Sequence, residues 1–470
     1  MEDLLSMTLC ELSDGLAKKK LSPVELMRAT LARIEAADHG KINAVVALAD
    51  PERLMTQARA AEARVARGDA RPLEGIPLGV KDLEDAAGFV TSYGSPIFKD
   101  NVAERDSVQV ERLRAAGAIV VSKTNVPVFG SVVWTKNRVY GVTRNPWNPE
   151  FSCGGSSGGS AAAIAGSILP LVTASDGGGS VRGPASLCGA FGLKPSNNRI
   201  PIGPSDRWDW PQLGVYGPIT KTVEDAALFL DQTVGASEWD EHSLPHPGYS
   251  YLARVRTPID KKLRIAYSPD FGYAVVHSEV ATKVADAAQA FAKLGHEVET
   301  ITGGPPNMQR GWILLESYNA YCHHQELIAK RRDDFERGNL ASMEAVKNTS
   351  AEDLEKAVRR RARLRAYFAE LFERYDLLLS PTFPYDGHPA RGPHLEEIEG
   401  KDARKSGPGC FTIPFNMTRH PAANVRVGLS SRGLPIGMQI VGPQHRDDLV
   451  LQAARAFERE RPWHPRWPEL

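Results

Sequence analysis

The 470-residue chain predicts an α/β fold: a central mixed, twisted β-sheet covered by α-helices on both faces. Three observations predict it. Short apolar or β-branched runs alternate with longer helical stretches, the pattern of strands separated by covering helices. The strand-like runs are short and apolar or β-branched, as expected of buried strands. Hydrophobic residues at 42 % and charged residues at 24 % suit a large packed core and exclude general disorder.

The elements follow in order. The first seventy residues read as helical. Ser22-Pro23-Val24-Glu25 forms a capping box with Pro at the first helical position, opening a stretch that carries Leu26, Leu31 and Ile34 and ends near Asp38-His39-Gly40. Another helix spans about Asp50 to Arg67. The texture then changes to strands: Ile76 to Asp82, Gly117 to Lys123, Leu169 to Ser175, Leu263 to Tyr267, Tyr375 to Leu379 and Gly437 to Val441. Helices between them include Val223 to Val234, Glu279 to Leu294 and Ala351 to Arg374. Residues 236–260 and 383–410 are polar loops with Pro and Gly, expected at the surface.

Composition excludes several function classes. Lys plus Arg equal Asp plus Glu at 57 each, so no basic excess exists to neutralise a nucleic acid. The Arg359-Arg360-Arg361 cluster lies among Glu352, Asp353, Glu355 and Glu370 and reads as a solvated helix face. The N-terminal stretch is acidic without a long apolar core, so no secretory signal is visible, and Ala161 to Ala174 is too short to span a bilayer. Five scattered cysteines without a CxxC pair suggest reduced thiols, and a cytoplasmic location is expected. Tyr321-Cys322-His323-His324 resembles a metal motif, but adjacent helical histidines point about 100° apart, and no metal is expected there.

The chemistry concentrates in one segment. Between Gly154 and Gly192 lie 11 glycines, in the strings Gly154-Gly155-Ser156-Ser157-Gly158-Gly159-Ser160 and Asp176-Gly177-Gly178-Gly179-Ser180-Val181-Arg182. Consecutive glycines beside a serine let backbone N–H groups converge next to its hydroxyl, as an oxyanion hole requires. A serine nucleophile needs a base. None of the 12 histidines lies between His39 and His242, whereas Lys81 ends an apolar strand-like run. An isolated lysine is ordinarily a surface charge. To serve as a base it must be desolvated, and bringing its pKa from about 10.4 to ~7–8 takes about 4 kcal/mol.

These strings, with Gly75-Ile76-Pro77-Leu78-Gly79-Val80-Lys81-Asp82, Lys123-Thr124-Asn125, Thr143-Arg144-Asn145-Pro146-Trp147, Gly192-Leu193-Lys194-Pro195, Gly217-Pro218-Ile219-Thr220, Asp376 to Thr382 and Gly433 to Gly442, occur in the order of the amidase signature family. The resemblance runs from about residue 5 to 460. It implies a single domain over 1–470, with N-terminal helices (1–70), a signature core (71–235) and an α/β remainder (236–470) carrying a helical excursion at about 305–375. It further implies a catalytic triad of Ser180 as nucleophile, Ser156 as bridging serine on a cis peptide bond and Lys81 as base. Backbone N–H groups of Gly177, Gly178, Gly179 and Ser180 match the oxyanion hole. Ser157 matches a serine hydrogen-bonding near the lysine, and Asp176 and Arg182 match residues that brace the loop.

The implied reaction is hydrolysis of an amide or carbamate carbon–nitrogen bond through an acyl-enzyme, without metal or organic cofactor. The expected partner is a small-molecule substrate, with no nucleic acid and no membrane, for a monomer or homodimer. Asp-Gly-Gly-Gly-Ser and Thr91-Ser92-Tyr93-Gly94-Ser95 resemble bacterial members acting on nylon oligomers and urethanes. Trp134, Trp208 and Trp210 are candidate pocket walls, each equally at home in a core. Cys153, Gly177, His420 and Arg426 depart from the family pattern, and the last two are placed to reshape the pocket. Two alternatives stand beside this reading. One is the A-type amidotransferase component of tRNA-dependent amidation, which usually carries Gln where this chain has Gly183. The other is an esterase-like α/β-hydrolase using Ser156 of Gly154-Gly155-Ser156-Ser157-Gly158, although its nucleophile must follow a strand and prolines precede this one.

Overall fold

The computed structural model describes residues 4–38, 42–204, 209, 211–464 and 466–468. The chain opens with helices Leu9–Ala17, Pro23–Asp38 and Pro51–Arg67. Thr8 and Glu11 close a reciprocal capping box on the first. At the second, the Ser22 hydroxyl accepts from Glu25 N but donates to Glu62 of the third helix, so half of the expected box is exchanged for an interhelix bond. The expected end of this helix at His39-Gly40 falls outside the described residues.

Two sheets carry the core. The smaller runs Val45–Val46, Ile119–Thr124, Pro77–Lys81, Leu171–Val172, antiparallel at the first pair and parallel thereafter. The larger has seven strands in the order Ile219–Thr220, Phe191–Lys194, Ala422–Leu429, Pro435–Val441, Leu377–Pro381, Arg264–Tyr267, Glu297–Thr300. Its last two pairings are parallel and the other four antiparallel. The expected α/β class with mixed strand directions is what forms, with the strands shared between two main sheets.

Period-two alternation explains why these strands read as continuously apolar. Leu377 and Leu379 enter one apolar cluster and Leu378 the opposite one; Ile265 and Tyr267 separate from Ala266 in the same way. The first face is covered by helices Val223–Thr233, Ser278–Lys293 and Asp447–Glu460, the second by Ala351–Arg374 and the segment around Phe411 and Phe415. In the smaller sheet Val120 faces the first cluster, while Ile119 and Val121 face a third, filled by the wholly buried helix Gly158–Ala165.

Two surface expectations are corrected. Residues Phe383 to His388 are buried, not a surface excursion, because Phe383 and Tyr385 pack with Leu187, Ile398 and Ala403. Arg361 is not on a solvated face: it is half-buried and donates to Met417 O and Pro211 O, each at 2.6 Å. Helices Gln309–Arg331, Arg337–Ala345 and Ala351–Arg374 make up the helical excursion. No helix among the described residues is long and apolar enough to cross a membrane.

Candidate active site

Strand Pro77–Lys81 is buried along its length, and its last residue is a fully buried lysine. Leu78 and Val80 point to the first cluster, so Lys81 points to the other face, toward the start of helix Gly158–Ala165. There Lys81 Nζ lies 2.7 Å from Ser157 Oγ, 2.8 Å from Ser156 Oγ, 2.9 Å from Ser175 Oγ and 3.1 Å from Ser175 O. Burial pushes the Lys81 amine down to about 7, against the opposing pull of Asp176 and Glu84. A neutral amine has two N–H donors and one lone pair. The Ser175 carbonyl can only accept, so the lone pair is available to a serine hydroxyl.

Ser156 follows a cis peptide bond from Gly155, and Gly154 has φ +83°. Both glycines are needed where they are. A Cβ on Gly154 would lie 2.7 Å from Pro184 Cα, and one on Gly155 would lie 2.5 Å from Val132 O. Gly130 closes the other side: a Cβ there would stand 3.2 Å from Ser156 Oγ.

The second serine string forms a braced turn. Asp176 and Arg182 form a fully buried ion pair at 2.8 Å. Arg182 also donates to Asn416 Oδ1 at 2.6 Å, Gln439 Oε1 at 2.7 Å and Thr412 O at 2.9 Å, so its guanidinium is satisfied around its edge. Burial works to raise the Asp176 pKa, but the charge and hydrogen bonds of Arg182 and the bond from Asn416 outweigh it and hold the carboxyl well below its usual range. Asp176 is therefore an anion that accepts from Gly179 N at 2.7 Å and Val181 N at 3.1 Å.

The expected oxyanion set needs one correction. The Gly179 N–H is occupied by Asp176, so Gly179 braces the turn and does not offer a free donor. Among the described residues no acceptor takes the N–H of Gly177, Gly178 or Ser180. The carbonyls face away: Gly177 O accepts from Trp312 Nε1 at 2.8 Å and Gly178 O from Thr412 Oγ1 at 2.7 Å. Ser180 is half-buried, and its carbonyl accepts from Ser157 N at 3.3 Å, which ties the two serine strings together.

Of the remaining candidates, Trp134 adjoins the site through its backbone, its N lying 2.9 Å from the Cβ position of Gly155. The half-buried Trp134 packs its indole on Gly392 and near the His394 ring, centroids 6.1 Å apart. Trp208 and Trp210 lie outside the described residues. His420 packs in the core, buried between the Phe368 and Phe372 rings with Nδ1 2.8 Å from Thr418 Oγ1. Arg426 is likewise structural, sandwiched between the Trp147 and Trp467 rings and donating to Arg466 O at 2.8 Å. Cys153 is a buried thiol that would touch any side chain on Gly158, and no disulfide joins the described cysteines. His324 stacks on Phe129 at 4.6 Å, and no group of three metal-ligating side chains is assembled among the described residues.

Sequence reasoning missed Ser175, Thr412, Trp312 and Gln439. Ser175 adjoins the glycine string and was within reach of local reading. The other three arrive from segments more than 130 residues away, and nothing in their own neighbourhoods marks them.

A fully buried lysine thus lies among the hydroxyls of Ser156, Ser157 and Ser175, beside a glycine turn braced by the Asp176 carboxylate. The Amidase family profile matches residues 25–451. The acylamidase of Rhodococcus erythropolis is 34 % identical over 97 % of this chain and 96 % of its own length. The A-type component of the glutamyl-tRNA(Gln) amidotransferase of Geobacter metallireducens is 32 % identical over 98 % of this chain and 99 % of its own. The solved structure of 6-aminohexanoate cyclic dimer hydrolase complexed with substrate superposes with a TM-score of 0.88 at 28 % identity, covering 99 % of each chain. The chain belongs to the amidase family and is an amide hydrolase.

Proposed function

We propose that this chain is a stand-alone amidase that hydrolyses small neutral amides and carbamates through a Lys81–Ser156–Ser180 relay. The observation that carries the reading is the fully buried Lys81 amine, brought to about 7, with its nitrogen 2.8 Å from Ser156 Oγ. In the reaction Lys81 takes the proton of Ser156, and Ser156 takes that of Ser180. Ser180 Oγ attacks the carbonyl carbon, and the N–H groups of Gly177, Gly178 and Ser180 receive the oxyanion. The proton returns through Ser156 to the departing nitrogen, and water then releases the acyl group from Ser180. Ser157 and Ser175 hold the Lys81 nitrogen in place.

Carbamates fit the same steps, since they differ from amides only beside the carbonyl. The likeness to the cyclic dimer hydrolase supports including linear and cyclic oligoamides among the substrates. Reaction with a fluorophosphonate, followed by peptide mapping, tests the nucleophile; label on Ser156 and not Ser180 overturns it. A hydrolysis screen over short aliphatic amides, anilides, carbamates and aminohexanoate oligomers tests the substrate class.

The amidotransferase component is the second reading, favoured by full-length likeness to such chains. Against it, Gly183 stands where a longer side chain is usual there, and even a Cβ on it would lie 3.3 Å from the Phe383 ring. Ammonia release from free amides by the isolated chain supports the stand-alone amidase. Activity only with partner proteins and tRNA overturns it.

A further inference from the structure

We propose that Trp312 is a positioning residue for the reaction, holding the Gly177–Gly178 peptide in the orientation that presents the Gly178 N–H as an oxyanion donor. This rests on the assignment of the Gly177–Ser180 turn as the oxyanion site.

The indole N–H of Trp312 donates to Gly177 O at 2.8 Å. In a trans peptide the C=O and N–H point in opposite directions. Fixing the Gly177 carbonyl toward Trp312 therefore turns the Gly178 N–H away from it. The ring does more than donate. It lies so close over Gly178 that a Cβ there would stand 2.6 Å from Cζ2 and 2.8 Å from Cε2.

The other peptides of the turn are held from the core. Asn416 Nδ2 donates to Asp176 O at 2.8 Å, Thr412 Oγ1 to Gly178 O at 2.7 Å, and Gly183 N to Gly179 O at 2.7 Å. Thr412 thus fixes a peptide whose N–H, that of Gly179, already binds Asp176. The Gly177–Gly178 peptide differs. Among the described residues Trp312 is its sole hydrogen-bonding partner, and it joins two glycines, the residues that most readily rotate. Without the clamp that peptide is free to turn its N–H out of the site.

Trp312 is on helix Gln309–Arg331, part of the helical excursion and not of either sheet. One turn further, Glu316 Oε1 lies 3.9 Å from the Cβ position of Gly177, so the same helix face flanks the turn twice. The placement of that helix is thereby transmitted to the oxyanion donor.

The test is Trp312→Phe, which keeps a ring over Gly178 and removes the N–H. Steady-state rates on an amide and inhibition by a trifluoromethyl ketone, which forms an oxyanion on Ser180, are measured together. We expect kcat about tenfold lower or more, up to the roughly 10²–10³ that loss of a whole donor brings. KM stays within about threefold, the inhibitor weakens in parallel with kcat, and the pH midpoint set by Lys81 does not move. Should Trp312→Phe fail to fold, benzothienylalanine at position 312 keeps the indole shape with sulfur in place of N–H. A kcat within about twofold of the parent in the folded variant overturns the clamp. A parent chain that hydrolyses no amide and takes no label at Ser180 overturns the oxyanion assignment and the clamp with it.

Discussion

Lys81 Nζ lies 2.8 Å from Ser156 Oγ, and no carboxylate among the described residues is within ion-pairing distance of it. Lys123, equally buried in the adjacent strand, is 3.9 Å from Asp82. Burial lowers both amines, and at Lys81, with no carboxylate that close, it brings the pKa to about 7.

In the proposed relay the neutral amine is the reactive form, so kcat/KM should rise about tenfold per pH unit below 7 and level off above a midpoint near 7. A pH–rate profile on an uncharged amide checks this. A rate that peaks below pH 6 rules out a lysine base. Lys81→Arg, which cannot lose its proton, should lie at background throughout.

The same shift has a stability consequence of definite sign. Between about 7 and 10.5 the unfolded chain holds a proton on Lys81 that the folded chain does not, so folding stability rises with pH across that window. The stability difference between the parent and Lys81→Met should move in the parent's favour by about 2 kcal/mol from pH 7 to 9. Urea unfolding of both chains at each pH measures it. Comparing the two chains cancels the contribution of Lys194, which burial and Arg182 also bring down to about 7.

Ser180→Ala and Ser156→Ala should each reduce amide hydrolysis by about 10³ or more while the far-ultraviolet dichroism is unchanged. Fluorophosphonate labelling should vanish in Ser180→Ala. In Ser156→Ala the labelling site remains but reacts slowly. Substantial turnover by Ser180→Ala would refute the nucleophile.

Asp176→Asn should be destabilising by about 3–5 kcal/mol, because it leaves Arg182 charged and unpaired where both side chains are fully buried. Denaturant midpoints report the loss. Parent-like stability would mean that Asn416, Gln439 and Thr412 suffice to hold the guanidinium.

Gly178→Ala should lower kcat by about 10² through collision of the new methyl with the Trp312 ring and displacement of the turn. The melting temperature should fall only slightly, since Gly178 and Trp312 are both only partly buried and the strain stays local. Full activity would show that the turn tolerates the methyl.

Much of this protein is legible in its sequence. Alternating apolar runs announce the α/β class, since a strand buried on both faces must be apolar at successive positions, as Leu377, Leu378 and Leu379 are. The two glycine–serine strings announce the candidate chemistry, because close backbone approach requires glycine, and the resemblance to the amidase signature family singles out Lys81 as the candidate base. Local reading fails where meaning depends on a distant neighbour. Arg361 looked solvated until Met417 O and Pro211 O were brought to it, and residues 383–388 looked like a surface loop until Leu187 and Ile398 covered them. Gly179 looked like a free donor until Asp176 took its N–H. Trp312, Thr412 and Gln439 carry no local signal, since a tryptophan, threonine or glutamine acquires its role only from the acceptor that folding places in front of it. The sequence by itself determined the fold class, the family and the candidate residues for the chemistry. Only the tertiary structure decided which N–H groups of the turn lack an acceptor among the described residues and how far burial lowers the lysine pKa, because hydrogen-bond satisfaction and desolvation are properties of the packed chain.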